Sequence, residues 1–178
     1  MRVTGGVAKG HLLKAVPVRE LRPTQDVVRQ AIFNILGKMV VERKVADLYA
    51  GTGALGIEAL SRGAKSCYFV ESHRGACTAI AHNLNHTRLL GKGKIICRSV
   101  LRFLEELPDK DLDLVLLDPP YTLGNIEPVI RKIIPHLSNG AIIVYEHAKT
   151  TEVPKIEGLE VFDRRIYGET KVTFLTKA

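Results

Sequence analysis

The organising stretch of this sequence is Leu114-Val115-Leu116-Leu117-Asp118-Pro119-Pro120-Tyr121. Its apolar half is typical of a buried strand. The two prolines end that strand, because proline lacks an N–H and restricts the residue before it to extended conformations. Asp118 and Tyr121 should therefore stand rigidly at the carboxyl end of the strand, where open parallel α/β sheets bind their ligands. A carboxylate, a proline carbonyl and an aromatic ring at that place predict a site for a planar amine.

Outward from this stretch, strand-like and helix-like segments alternate, which predicts a doubly wound, Rossmann-like α/β fold with helices on both faces of the sheet. The predicted strands are 45–49, 65–70, 95–97, 112–117, 141–145, 159–166 and 171–176, and the helices between them are 54–62, 73–90, 100–107 and 126–137. Only four residues separate the last two strands, too few for a parallel crossover. The prediction is a mostly parallel seven-stranded sheet with a C-terminal antiparallel hairpin.

The first 44 residues differ in charge from the rest of the chain. They hold nine Lys or Arg and three acidic side chains, so that +6 of the net charge of +7 lies there. A Gly-rich, hairpin-like arm near residues 4–16 is followed by a helix over 27–39, with Thr24 as its N-cap. We predict one domain over 1–178, in which 1–44 form a basic RNA-binding extension and 45–178 a catalytic core, because clustered basic charge favours a phosphate backbone.

Composition predicts a cytoplasmic globular protein. The chain is 46% hydrophobic and 25% charged, it opens without the apolar run of a signal peptide, and no stretch approaches the roughly 20 apolar residues of a membrane span. The three cysteines, Cys67, Cys77 and Cys97, are odd in number and lack C-x-x-C spacing. Reduced thiols are therefore expected, with Cys67 and Cys97 packed in the core.

A glycine motif follows the first predicted strand of the core. Gly51-Thr52-Gly53-Ala54-Leu55-Gly56 matches G-x-G-x-x-G, and Glu71 closes the next strand twenty residues after Gly51. This spacing suits a dinucleotide and S-adenosylmethionine equally, since both need close backbone approach and a carboxylate for ribose hydroxyls. Asp47 favours S-adenosylmethionine, because a carboxylate attracts the ammonium of its methionine part and would repel a pyrophosphate.

The Asp-Pro-Pro-Tyr motif then favours methyl transfer to an exocyclic amine over hydride transfer. Such an amine is a poor nucleophile because its lone pair is delocalised into the ring. Acceptors for its two hydrogens, the Asp118 carboxylate and the Pro119 carbonyl, favour a pyramidal nitrogen with an available lone pair. Tyr121 can stack on the base, an interaction worth about 1–3 kcal/mol. The predicted catalytic residues are Asp118, Pro119, Pro120 and Tyr121.

The chain also resembles the RsmD-type family of S-adenosylmethionine-dependent methyltransferases, which modify guanine N2 in 16S ribosomal RNA. The residues that carry the resemblance are 47–64 (DLYAGTGALGIEALSRGA), Glu71, 118–121 (DPPY), 2–6 (RVTGG), 22–24 (RPT) with Asp26 and Arg29, 33–36 (FNIL) and 167–170 (YGET). The Gly-rich and Asp-Pro-Pro-Tyr motifs specify the chemistry, and the Arg-Pro-Thr segment with the Gly-rich arm narrows the substrate.

The resemblance implies residue roles at the matching positions. The implied cofactor-binding residues are Arg22, Thr24, Asp47, Tyr49, Ala50, Gly51, Gly53, Glu71, Ser99 and Val100. Arg2, Lys9 and Tyr121 are the implied substrate contacts, with 16S rRNA or a partly assembled small subunit as partner and S-adenosylhomocysteine as product. The family often has an acidic residue after the third strand, where this chain has Ser99-Val100, so the N–H of Val100 is the alternative contact for adenine.

Other interpretations remain open from sequence. A DNA amino-methyltransferase acting on adenine N6 or cytosine N4 is the nearest, followed by a protein-glutamine methyltransferase, a dehydrogenase and a catalytically silent RNA-binding module. His82 and His86 lie one helical turn apart, but no third ligand follows at a sensible spacing, so we expect surface histidines and no metal site.

Overall fold

In a computed structural model, which describes residues 1–15, 25–108 and 110–178, seven strands form one sheet. The strands are Lys44–Leu48 (β1), Ser66–Val70 (β2), Gly93–Ile96 (β3), Leu112–Leu117 (β4), Leu137–Ala148 (β5), Leu159–Tyr167 (β6) and Thr170–Lys177 (β7). Their order across the sheet is β3-β2-β1-β4-β5-β7-β6.

The direction of the strands follows the predicted pattern. The pairs from β3 to β5 are parallel, whereas β7 runs antiparallel to both β5 and β6. Only Gly168 and Glu169 separate β6 from β7, so these strands can pair only as a hairpin. The doubly wound, mostly parallel sheet with a C-terminal antiparallel hairpin is confirmed.

Helices cover both faces of the sheet, which is also confirmed. They are Gln25–Leu36 (α1), Ala54–Ser61 (α2), Arg74–His86 (α3), Val100–Glu106 (α4) and Glu127–Ile133 (α5). Side chains of α1, α2 and α3 pack on one face of the sheet, against β-strand residues such as Leu114 and Leu116. Side chains of α4 and α5 pack on the other face, against Val115 and Leu117. The alternation along β4 therefore divides the core into two layers.

The N-terminal arm forms the expected hairpin and lies against the catalytic body. Arg2 and Leu12 pair as an antiparallel bridge. Three apolar side chains of the arm, Val3, Ala8 and Leu13, are buried in the same core layer as α1 and α2. The arm is too short to form a core of its own, and it is held by a core that the rest of the chain supplies.

The prediction for the cysteines was wrong in two respects. Cys77 of α3 and Cys97 form a disulfide, with 6.0 Å between their Cα atoms, and Cys67 is the free, buried thiol. Cys97 lies one residue beyond the end of β3 and is exposed, so it is not a core residue. Sequence spacing gave no sign of this pair, because it is made across the sheet edge by residues twenty positions apart.

Among the described residues, no helix combines the length and the apolar character that crossing a membrane requires.

Candidate functional site

The two predicted motifs lie at neighbouring strand ends, with the glycine motif after β1 and Asp-Pro-Pro-Tyr after β4. These two strands are neighbours, with Leu48 paired to Leu117, so Tyr49 and Asp118 follow at adjacent positions. The strand order reverses between β1 and β4, since β2 and β3 extend the sheet to one side and β5 to the other. Ligands of open α/β sheets bind at such a reversal point.

The glycine motif forms a tight turn between β1 and α2. Three residues of the turn have positive φ angles, which are 62° at Tyr49, 57° at Gly51 and 78° at Gly53. Glycine adopts such angles without the steric cost of a Cβ atom, which Tyr49 carries. Gly56 lies within α2, and a Cβ there would overlap the ring of Phe69 in β2. The last glycine of the motif therefore serves helix–strand packing, while the first two shape the turn. Ala50 lies between Tyr49 and Gly51 and is buried.

Asp47 and Glu71 hold this turn from two sides. Asp47 is 1% exposed, and its Oδ2 accepts a hydrogen bond from the N–H of Gly56 at 2.9 Å. Glu71 follows β2 directly, and its two oxygens accept from the N–H groups of Gly51 and His73, each at 2.9 Å. The Glu71 carboxylate thus joins the glycine turn to the start of α3, at the edge where a ribose is expected.

The predicted adenine segment lies beyond β3. Ser99 is exposed and caps α4, where its Oγ accepts from the N–H of Arg102 at 3.4 Å. Val100, the first residue of α4, is buried. The Cys77–Cys97 disulfide lies beside this segment, and the Cys77 Sγ contacts the carbonyl oxygen of Glu71 at 3.3 Å. The segment from Cys97 to Val100 is therefore tied to the same edge of the site as Glu71.

The Asp-Pro-Pro-Tyr motif turns away from the end of β4 as its composition predicts. Asp118 is 9% exposed and Pro119 is buried, whereas Pro120 is exposed and Tyr121 is 51% exposed. Tyr121 begins a short 3-10 turn that ends at Leu123. The motif thus combines a buried carboxylate with an accessible aromatic ring.

A cavity open to solvent, with about 430 Å³ of empty space including its mouth, lies against this motif. Its lining is Pro119, Pro120, Tyr121, Leu123, Gly124, Ile126, Tyr145, Glu146, His147, Ala148 and Thr151. Three residues of the motif, Pro119, Pro120 and Tyr121, therefore border an open cavity.

Sequence reasoning missed the contribution of β5 to this cavity. Tyr145, Glu146 and His147 end the apolar run of β5, as Asp118 ends that of β4. The signal that identified Asp118, a polar side chain at the carboxyl end of a buried strand, is equally present at Glu146. It passed unnoticed because no proline marks the end of β5.

Tyr145 and His147 stack on each other, with 4.5 Å between ring centroids. The His147 Nε2 lies 2.9 Å from Thr173 Oγ1, and its Nδ1 lies 3.0 Å from the carbonyl oxygen of Ala148. Burial lowers the pKa of His147, and the charges of Lys171 and Arg164 act in the same direction. Burial, with the nearby Asp118 carboxylate, raises the pKa of Tyr145 to about 12. Both rings are thus neutral near pH 7.

The remaining predicted residues are divided between the arm and the part of the chain outside the described residues. Arg2 and Lys9 are exposed on the N-terminal arm. Arg22 and Thr24 lie outside the described residues. His82 and His86 are exposed, and no group of three metal-ligating side chains occurs within 1–15, 25–108 and 110–178.

Comparisons with known proteins agree with this arrangement. The family described as conserved hypothetical protein 95 matches residues 1–176. The putative rRNA methyltransferase YlbH of Bacillus subtilis is 35% identical, over 99% of both chains. The ribosomal RNA small subunit methyltransferase D of Escherichia coli is 31% identical, over 88% of this chain and 79% of that protein.

A solved structure shares the whole fold. The putative methyltransferase yhhF of Escherichia coli superposes with a TM-score of 0.88 at 28% identity, covering 99% of this chain and 97% of that one. Both the sequence match and the shared architecture extend over essentially the entire chain, including the arm. The chain therefore belongs to the RsmD-type methyltransferase family, the family described as conserved hypothetical protein 95.

Proposed function

We propose that this protein transfers a methyl group from S-adenosylmethionine to the exocyclic N2 amine of a guanine in small-subunit ribosomal RNA. The observation that carries the proposal is the position of the Asp118–Tyr121 motif, whose last three residues line an open cavity, at the strand end next to the Gly51 turn. In this proposal the chain works as one domain, with residues 1–44 as the RNA-binding extension and 45–178 as the catalytic core.

The residues around the glycine turn fit the cofactor. Gly51 and Gly53 carry no side chain, so a ligand can approach the backbone of the turn closely at these two positions. The Glu71 carboxylate, fixed by the N–H groups of Gly51 and His73, has further lone pairs that suit two ribose hydroxyls. Asp47 places negative charge at the same strand end, which favours the cationic methionine part. Bound S-adenosylmethionine supplies an electrophilic methyl group on its sulfonium sulfur.

The Asp-Pro-Pro-Tyr residues orient the amine. Because Pro119 and Pro120 restrict the backbone after β4, the Asp118 carboxylate and the Pro119 carbonyl keep fixed positions as acceptors for the two N2 hydrogens. The half-exposed ring of Tyr121 can stack on a base that has left its helix. The rate then depends on holding the nitrogen in near-attack geometry, to which rigid positioning contributes strongly.

The RNA substrate is supported by charge and by the names of relatives. Arg2 and Lys9 are exposed on the arm, and the net charge of +7 favours a polyanionic partner. The Escherichia coli relative bears the name of a small-subunit ribosomal RNA methyltransferase.

The test is transfer of tritiated methyl groups to total RNA from cells that lack this protein, followed by nucleoside analysis. We expect N2-methylguanosine in small-subunit RNA, whereas N6-methyladenosine or N4-methylcytidine as the product would contradict the proposal. Asp118→Ala should abolish the transfer and keep the thermal shift that S-adenosylmethionine produces. Asp111→Ala is the matched control. Asp111 lies before the amino end of β4 and makes an ion pair with Lys44, whose side chain is 44% exposed.

A further inference from the structure

A second carboxylate, Glu146, follows the strand position that is paired with the end of β4. Leu116 pairs with Val144, and Leu117, the last residue of β4, pairs with Tyr145. Asp118 and Glu146 are the residues that come next in the two strands' sequences. Side chains alternate between the two faces of a sheet. Glu146, which lies within β5, therefore stands on the face that Val144 occupies, which is the face covered by α1, α2 and α3. The same alternation, continued one residue past the end of β4, assigns Asp118 to the face of Leu116.

Both carboxylates are largely buried, and Glu146 lines the cavity that begins at the residue after Asp118. Asp118 is 9% exposed and Glu146 is 8% exposed, and Glu146 lines the cavity together with Pro119 and Tyr121. Tyr145 and His147 stand on the opposite face of β5, where they stack on each other and His147 bonds to Thr173. Glu146 is therefore the residue of the β5 end that shares a face with Asp118.

Two adjacent carboxylates select ligands that offer hydrogen-bond donors side by side. The Watson–Crick edge of guanine presents N1–H next to the N2 amino group. Adenine and cytosine instead place an unprotonated ring nitrogen next to their exocyclic amine, and its lone pair would face the second carboxylate. Enzymes that act on extruded bases identify them by hydrogen bonds to this edge. The pair of carboxylates consequently matches guanine among these three bases.

We propose that Glu146 is the specificity-determining residue of this site and accepts the N1–H of the target guanine while Asp118 accepts from N2. This assignment rests on the proposed function, since it names the base contact of the same reaction. It explains how an Asp-Pro-Pro-Tyr motif, which by itself specifies only amine chemistry, is restricted to guanine.

The test compares two RNAs that differ in one base. One carries guanine at the methylated position and the other carries 2-aminopurine, which keeps the 2-amino group, has no hydrogen on N1 and lacks O6. Both compete for the protein in one reaction, so that the measured ratio of methylation rates is independent of the folded fraction. Wild-type protein should favour guanine by about 10- to 100-fold, the range expected for a hydrogen bond to a charged group.

Substitutions at Glu146 should change this ratio in a defined order. Glu146→Gln offers an amide donor to the bare N1 of 2-aminopurine, so the preference should shift toward 2-aminopurine by at least tenfold. Glu146→Ala neither donates nor accepts, and its ratio should lie between those of wild type and Glu146→Gln. Glu152→Gln, at an exposed carboxylate six residues later in the chain, is the control and should keep the wild-type ratio.

Two results would overturn the assignment. An unchanged ratio in Glu146→Gln, with guanine still methylated, would exclude Glu146 as the N1 contact and leave the proposed function standing. Methylation of adenine or cytosine by the wild-type protein would overturn the proposed function and the Glu146 assignment together.

Discussion

Two groups of buried carboxylates in this protein have opposite surroundings. Glu58 of α2 is 0% exposed, and its partners all belong to the chain: Arg29 and Arg62 at 3.2 and 2.8 Å, and the N–H and hydroxyl of Thr4 at 2.9 and 2.6 Å. Glu146 is also buried, but it lines an open cavity together with Pro119 and Tyr121, which directly follow or lie near the buried Asp118 in the same motif. The first group fastens the arm to the body, and we propose that the second group binds a base.

The basic residues of the N-terminal segment divide into buried and exposed ones. Arg29 belongs to that charge cluster by sequence, yet it is 3% exposed, pairs with Glu58 and Asp26, and donates to the carbonyl oxygen of Arg2. Its charge therefore stabilises the docking of the arm. Arg2 and Lys9 remain exposed on the docked arm, where they can meet a phosphate backbone.

The largest expected effect concerns Glu58 and the residues that it binds. Glu58→Gln removes the negative charge between Arg29 and Arg62, and breaking a buried ion pair from one side costs about 3–5 kcal/mol. Urea denaturation should show a loss of this size in the free energy of unfolding. Glu106→Gln is the control. Glu106 pairs with Arg98 at the surface, where both side chains are more than half exposed, so the loss should stay below about 1 kcal/mol. Equal losses in the two variants would contradict the structural role of Glu58.

A substitution at Asp118 should change the rate of methyl transfer more than the stability of the protein. Asp118→Ala should lower the rate of methyl transfer by at least about 10²–10³-fold, as is typical when one preorganised polar contact to the reacting group is removed. The free energy of unfolding should fall by less than in Glu58→Gln. Single-turnover kinetics and urea denaturation of both variants check this reversal. A rate loss that merely follows a loss of folded protein would erase the distinction between the two groups.

The arm offers a sharper test of close docking. Gly6 has a φ of +78°, and a Cβ there would overlap the carbonyl group of Ser61 at the end of α2. Gly6→Ala should therefore lower the free energy of unfolding by about 2–3 kcal/mol, from overpacking together with the unfavourable φ. Gly10 has a φ of +88°, and a Cβ added there would meet no other atom within 4 Å, so Gly10→Ala should cost only about 1–2 kcal/mol. Equal costs would mean that the arm does not rest on α2.

The smallest effect depends on pH. Because burial lowers the pKa of His147 in the folded protein, the unfolded chain binds more protons below its ordinary pKa of about 6.5. The contribution of His147 to the free energy of unfolding is therefore fully present above that pH. It is lost as the pH falls, by at most about 1.4 kcal/mol per pH unit. Denaturation of wild type and His147→Gln between pH 7.5 and 5.5 should show a weaker decline in the variant. Parallel curves for wild type and His147→Gln would contradict the prediction.

Much of the fold was predictable because its signals are local. The apolar run of β4 and the helix after the Gly51 turn can each be recognised from a few consecutive residues. The observed bounds of both elements agree with the predicted ones within a few positions. The C-terminal hairpin was predictable from the length of its turn alone. The helix predicted over 73–90 ends earlier, at His86, where Thr87 begins a turn that leads into a separate 3-10 segment.

Other features depend on contacts between distant parts of the chain. The Cys77–Cys97 disulfide, the Glu58 group and the neighbouring ends of β4 and β5 join residues 20 to 54 positions apart. No periodicity or spacing encodes such pairs, because they arise only when strands take their order in the sheet and helices pack on it.

The sequence by itself determined the α/β class, the hairpin, and a carboxylate, a carbonyl and an aromatic ring at the end of one strand, since backbone restriction and side-chain alternation act over a few residues. The tertiary structure alone decided which charges remain at the surface and which carboxylate of β5 lines the cavity at the Asp-Pro-Pro-Tyr motif. Burial and strand register are properties of the assembled sheet, and the choice between a structural and a binding carboxylate depends on them.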